Sequence, residues 1–384
     1  MMRKIYTLAL ALFFLVGCAT APITGRRQLM LISESTEISQ GEEAYRAILR
    51  QSVISHNPEA KRIVRKVGEK IARVANKPNY QWEFTVIDDP EMANAFAVPG
   101  GKVAVYTGIF PAARDETGLA VIMGHEVAHA LARHGAERMS RDRIVQLGGL
   151  GLSAALGGNS QALQAYGLGA SVGLILPFSR SQELEADRIG LRLMAEAGYD
   201  PRASLDVWKR MERKESAKGQ GAPPGFLSTH PGYEKRTQQL RAWIPEAMQY
   251  YRPLNQAVEL LPSLKSLDSP KARAERELMK RIQEVNQLIR DGRGERVLFE
   301  TLGYYLKMDP YFLYQERQKV RLSYGEYVAL RGLSFKGRTS FGQVLRTYGR
   351  GTNWTDMTQR FSVPITELLS FMRRIWRTTA KVQG

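Results

Sequence analysis

The chain has 384 residues, 43% of them hydrophobic and 24% charged, with one cysteine and a formal net charge of +17. That length is more than twice an ordinary domain of ~150 residues, so two domains are expected. The composition excludes disorder, a collagen-like repeat and a polytopic membrane protein, and a single cysteine excludes an intramolecular disulfide framework or a Cys-rich metal site. The positive charge, concentrated in the last third of the sequence, raises nucleic acid or an anionic surface as partners.

Arg3 and Lys4 precede an apolar run from Ile5 to Val16. Such a run falls short of the ~20 residues that span a bilayer and suits the h-region of a secretory signal. It closes on Leu15-Val16-Gly17-Cys18, which resembles the lipobox of bacterial lipoproteins. The resemblance implies a signal peptide over residues 1–17 and lipid attached to Cys18. Because Ala19 follows the cysteine, it further implies a periplasmic protein held at the inner leaflet of the outer membrane. Several acyl chains make a strong anchor for an otherwise soluble chain. The alternative, a plain membrane helix, is disfavoured by Thr20, Pro22, Thr24 and Gly25. Export also removes nucleic acid as a partner.

Further along, Ile63, Val67, Ile71 and Val74 recur at helical spacing. Residues 81–88 alternate apolar and polar and read as a strand. Asn94 to Val98 and Lys102 to Tyr106 read as two short strands around Pro99-Gly100-Gly101, a turn that needs φ > 0. Asp115 or Thr117 then opens a long helix with no charge from Gly118 to Gly124, so its middle is expected to be buried. Helix, strands, then helices make an α+β domain. Residues 144–179 carry no charge and are split by Gly157 to Gln161; a helical hairpin over the core is expected there, with dipping into lipid as the alternative. A Pro- and Ser-punctuated stretch from Pro253 to Pro270 places a boundary near residue 262. The expected domains are therefore 18–262 and a basic helical region, 263–384, in which a solvated basic face is preferred to a lipid-binding one.

The chemistry is concentrated in His125-Glu126-Val127-Ala128-His129, inside the buried helix. Residues i and i+4 share a helical face, so both imidazoles can address one ion with Glu126 beside them as general base. A core helix with hydrogen-bonded histidines is the bland alternative, but it leaves a carboxylate in an uncharged core without a purpose. A catalytic zinc needs a third protein ligand and an open position. Glu183 and Asp187, also i and i+4, supply a candidate ligand and a partner to orient a ligand histidine, while Glu185 points away. His134 reads as flank and His56 as an ordinary loop residue.

Together these residues resemble the HtpX, Oma and Ste-type family of zinc metallopeptidases, in its soluble periplasmic, BepA- and LoiP-like branch. The likeness rests on His125-Glu-Val-Ala-His129, Ser179-Arg-x-x-Glu183-x-x-Ala-Asp187, Asn94-Ala-Phe-Ala-Val-Pro-Gly-Gly101, and Thr229-His230-Pro231 followed by Arg236. Thr24-Gly25-Arg26-Arg27-Gln28 also resembles the start of mature lipoproteins of this branch. The resemblance covers residues 20–245. It implies a gluzincin-like, mainly helical metalloprotease domain with a small β-sheet, followed by the helical C-terminal region. It also implies one Zn2+ per chain on His125, His129 and Glu183, Glu126 as base, and His230 near the metal, where it either stabilises an oxyanion or blocks the fourth position. The edge Asn94, Ala95, Phe96 and Ala97 is suited to hold a substrate peptide as an added strand, with a plain hairpin as the alternative. The expected function is a zinc endopeptidase that degrades misfolded or stalled envelope proteins, with envelope assembly machinery as a further partner. The rival is a non-catalytic chaperone using the same groove.

Overall fold

The computed structural model describes residues 18–21, 23–141, 143, 178–216, 226–230, 233–253, 255–289, 292–348 and 353–383. Residues 1–17, expected to be a signal, and most of the uncharged stretch 144–179 lie outside this set. The chain divides into two units, Met1–Ala47 with Asn57–Leu264, and Ile48–His56 with Lys265–Gly384.

In the first unit, β1 (Cys18–Thr20) and β2 (Arg27–Leu29) form a small antiparallel ribbon. Helix α1 (Glu34–Arg50) follows, then α2 (Pro58–Ala75), which has Pro58 in its first turn. The Asn57 side chain accepts from Ala60 N, and Asn76 closes α2 in the left-handed conformation at φ +49°. The face of α2 foreseen from its spacing is the buried one, with Ile63, Val67 and Ile71 fully covered. Three strands come next: β3 (Glu83–Ile87), β4 (Ala95–Val98) and β5 (Lys102–Tyr106). Their order is β3-β5-β4, with β5 parallel to β3 and antiparallel to β4. The hairpin between β4 and β5 turns on Gly100 and Gly101, at φ +90° and +86°, values that side chains with a Cβ rarely adopt. Strand β4 is therefore an edge, pairing with β5 through Ala95↔Val105 to Val98↔Lys102.

Helix α3 (Glu116–Leu131) begins at Asp115, whose carboxylate accepts from Gly118 N, and packs against β4. Its residues from Gly118 to Leu131 are all buried. Helix α4 (Arg180–Glu196) starts with a capping box between Ser179 and Gln182. The two helices cross where glycine meets glycine: a Cβ on Gly190 would stand 3.0 Å from His125 N. This close approach brings Glu183 and Asp187 to the histidine face of α3. Helices α5 (Ala203–Ser216), α6 (Phe226–Thr229) and α7 (Tyr233–Met248) complete the unit. The whole is mostly helical with a small three-stranded sheet, the class read from the sequence.

The second unit is helical in its described residues. Its core gathers Leu278, Ile282, Leu298, Leu302, Tyr327, Leu330, Leu368 and Met372, joined by Val53 from the earlier segment. His56 Nε2 lies 2.8 Å from Glu275 Oε2, and Thr355 N donates to Glu275 Oε1 at 3.1 Å. His56 is thus tied to a buried carboxylate rather than being an ordinary loop residue.

Candidate metal centre

Helix α3 presents His125 and His129 one turn apart, with Nε2 of each facing the other at 3.0 Å. From α4, Glu183 reaches the same point: its Oε1 lies 3.4 Å from His129 Nε2, and its Oε2 lies 3.5 Å from His125 Nε2. His230, immediately after α6, adds Nδ1 at 3.2 Å from His125 Nε2 and 3.0 Å from Glu183 Oε1. One ligand atom from each of these four buried residues falls within 4.8 Å of all the others.

Asp187, one turn past Glu183, lies behind the group, with Oδ1 3.0 Å from His125 Nδ1. It leaves Nε2 of that ring to face the donors. Arg236 on α7 braces both acids. Its Nε and Nη2 donate to Asp187 at 2.7 and 2.8 Å, and its Nη1 lies 2.8 Å from Glu183 Oε2. Nη1 also donates to the His230 carbonyl at 3.0 Å, and the guanidinium lies over Trp208. Rings close the remaining sides: Phe178 stacks on His129 at 4.0 Å and Phe226 on His230 at 4.1 Å. Glu126 is buried beside the cluster with His230 Nε2 3.4 Å from its Oε1, an oxygen that makes no hydrogen bond among the described residues.

Burial and charge set the protonation of these groups. Burial raises Glu126 above the usual carboxylate range. It opposes ionisation of Glu183 as well, but His230 and the histidines hydrogen-bonded to Glu183 outweigh it and hold that carboxyl well below its ordinary value. Asp187 is likewise lowered, with Arg236 overcoming burial. Burial pushes His129 well below the normal imidazole value. For His125 burial acts in the same direction, but Asp187 and Glu183 prevail and raise it to about 9.

The donor set fits zinc. Donors 2.0–2.2 Å from a tetrahedral centre stand about 3.3–3.6 Å apart, close to the separations here. Glu126, Glu183 and Asp187 are three buried acids gathered in one pocket with the Arg236 guanidinium, and a divalent ion bound there would displace the proton that Asp187 and Glu183 favour on His125.

Of the residues named from the sequence, the structure brings together His125, Glu126, His129, Glu183, Asp187 and His230. Asn94, Ala95, Phe96 and Ala97 are not among the donors and lie at the start of and along edge strand β4. The α6 segment meets that edge, where Phe226 N donates to Ala93 O at 2.9 Å. His134 is fully buried, with Nδ1 2.8 Å from His129 Nδ1, and so is more than flank. Arg236 follows His230 in the motif, but its bracing of Asp187 and Glu183 has no signal in the sequence. The aromatic walls Phe178, Trp208 and Phe226 had no sequence signal at all.

Residues 58–244 match Peptidase family M48. The mitochondrial metalloendopeptidase OMA1 of Schizosaccharomyces pombe is 38% identical over 230 residues, 59% of this chain and 66% of that protein. The OMA1 of Saccharomyces cerevisiae is 33% identical over 259 residues, 63% of this chain and 73% of its own length. The chain belongs to peptidase family M48. The β-barrel assembly-enhancing protease of Escherichia coli is a more distant relative, 28% identical over 224 residues, 56% of this chain and 45% of that protein. Members of family M48 are zinc-dependent, so the expected class, a zinc metalloendopeptidase holding one ion, is the class of this chain.

The expected placement is corrected. Relatives with the higher identities are mitochondrial by name, which overturns the periplasmic, outer-membrane assignment. That assignment rests on a short apolar run and one cysteine at the start of the chain, upstream of residues 58–244 that match the family. The BepA-like branch, a lipid anchor and an envelope assembly machinery gain no support from these relatives either. No helix among the described residues is long and apolar enough to cross a membrane.

Proposed function

We propose that the protein cleaves unfolded or misassembled polypeptides, laid as an extra strand along the edge of β4, by water activation at Glu126. The observation that carries this reading is the convergence of His125, His129 and Glu183 donors beside a buried Glu126 carboxylate whose Oε1 makes no hydrogen bond among the described residues. When bound, zinc supplies Lewis acidity, lowering the pKa of water to about 7 and polarising a carbonyl oxygen. Glu126, its pKa raised by burial, accepts the water proton and returns it to the leaving amine. Asp187 holds the His125 ring by Nδ1, and Arg236 holds Asp187 and Glu183 in place. Backbone pairing along Ala95–Val98 ignores side-chain identity, which suits unfolded substrates.

His230 serves as a fourth donor in a resting state. Its Nδ1 stands among the donors, and a catalytic zinc requires an open position. Hydrolysis therefore requires the α6 segment to withdraw His230. The rival reading, a non-catalytic assembly factor, gives Glu126 no role.

The test is digestion of unfolded casein by the purified chain. Cleavage should stop with a chelator and in Glu126→Gln, which still binds zinc. Equal degradation by wild type and Glu126→Gln refutes the mechanism. His230→Ala should raise activity; a loss assigns His230 instead to oxyanion stabilisation.

A further inference from the structure

Three residues that belong neither to the donor set nor to its immediate braces form a buried chain leading from His129 back to the N-terminal segment. His134 Nδ1 is 2.8 Å from His129 Nδ1, and His134 Nε2 is 3.0 Å from Glu185 Oε2. Glu185 in turn is gripped from upstream: Arg26 Nε donates to its Oε2 at 2.6 Å and the Thr24 hydroxyl donates to its Oε1. The same guanidinium forks onto Glu137 through Nη1 at 2.9 Å and Nη2 at 2.8 Å. Gln182 Nε2 donates to Glu137 Oε2 at 2.9 Å. His134, Glu137 and Glu185 are each almost wholly buried, while Arg26 keeps about a quarter of its side chain exposed.

The protons along this chain have one consistent arrangement. If His129 ligates a metal through Nε2, that atom must present a lone pair, so its proton sits on Nδ1. Nδ1–H then donates to His134 Nδ1, which must be bare. His134 carries its proton on Nε2, where Glu185 accepts it. Glu185 cannot turn away, because Arg26 and Thr24 occupy both its oxygens. His125 has its own brace in Asp187, so each ligand histidine has a distinct acid-terminated support.

We propose that His134, Glu185 and Arg26 are positioning residues that fix the ring orientation and tautomer of His129 for zinc, which makes the N-terminal Thr24–Arg26 segment part of the metal centre. This rests on His129 being a ligand, as proposed above. Arg26 lies upstream of residues 58–244, the span matched to the peptidase family. Glu185 is two residues from Glu183, on a different face of the same helix. One helix thus supplies a ligand to one side and the support of a second ligand to the other.

The experiment measures zinc affinity of the full chain by competition with a chromophoric chelator. His134→Leu should weaken binding about 10- to 100-fold. His134→Gln, whose amide offers one acceptor and one donor, should restore most of that loss. Arg26→Ala should weaken binding at least about threefold, whereas Arg27→Ala, at an exposed neighbour, should not. Wild-type affinity in folded His134→Leu overturns the proposal, while absence of zinc binding by the wild type overturns the reading beneath it. Should the variants not fold, nitrogen NMR of the imidazoles in the zinc-loaded wild type still decides. The chain has 5 histidines, so the signals can be assigned. Protons on Nδ1 of His129 and Nε2 of His134 are required, and the opposite tautomer of either ring overturns the proposal.

Discussion

Replacing Arg236 by Met keeps most of its volume and removes its charge. In the folded chain the guanidinium is 3% exposed, donates two hydrogen bonds to Asp187 and lies 2.8 Å from Glu183. Without it, two buried carboxylates lose the guanidinium that faces them, and the Trp208 face loses its cation. Removing one partner of a buried ion pair costs about 3–5 kcal/mol, because the remaining charge is left uncompensated. For a domain of this size about 1 kcal/mol corresponds to 2–4 °C, so the metal-free Arg236→Met protein should melt roughly 6–20 °C lower. Bound zinc engages Glu183, so the deficit should shrink in the loaded protein. Arg236→Lys should fall between the two, since an ammonium restores the charge but not the fork. Urea denaturation of both metal states, read by far-UV circular dichroism, is the assay. A metal-free Arg236→Met protein within about 0.5 kcal/mol of wild type, the ordinary range of neutral surface changes, would show that the cation does not hold these acids.

Two further outcomes follow from the same region. Burial opposes ionisation of Glu137, but hydrogen bonds from Arg26 and Gln182 outweigh it and lower its pKa to about 2. A folded-state pKa below the unfolded value of about 4.3 gives stability that is complete above that value and lost as pH falls towards about 2. Because Arg26 is partly exposed, the contribution should be about 1–3 kcal/mol at neutral pH. The metal-free wild type should therefore lose more stability between pH 5 and 3 than Glu137→Gln, and parallel profiles would refute this. Gly190→Ala should cost about 1–3 kcal/mol and weaken zinc binding, since its Cβ would meet the backbone of Gly124 and His125 and push Glu183 outward. Calorimetry and metal titration check it; an unchanged alanine variant would mean that the helices separate freely.

What was legible in the sequence was local. His125 and His129, and likewise Glu183 and Asp187, are i and i+4, so helical geometry puts each pair on one face; joining the pairs into one ligand set took the family resemblance, and in the fold it takes the Gly124–Gly190 crossing. The φ > 0 turn at Gly100 and Gly101 and the Asp115 cap are equally short-range. The β3-β5-β4 order was not legible, because parallel pairing across an intervening strand leaves no mark on either strand's alternation. Nor was the segment Ile48–His56, which joins the second unit although α1 runs through its start without a break in helical pattern.

The same division explains why the carboxylates of α4 were only half read. The helical spacing points Glu185 away from Glu183, and the structure agrees. The direction it faces, however, holds His134, 51 residues earlier, and Arg26, 159 residues earlier. Spacing within a helix says which side chains share a face but not what meets that face. A buried acid on the second face needs a donor as much as a ligand on the first needs an ion. The two faces of α4 are therefore satisfied by different chemistry, a metal with Arg236 on one and His134 with the N-terminal arginine on the other. Only the first has a sequence signature, because only there are the partners packed into two short helical motifs.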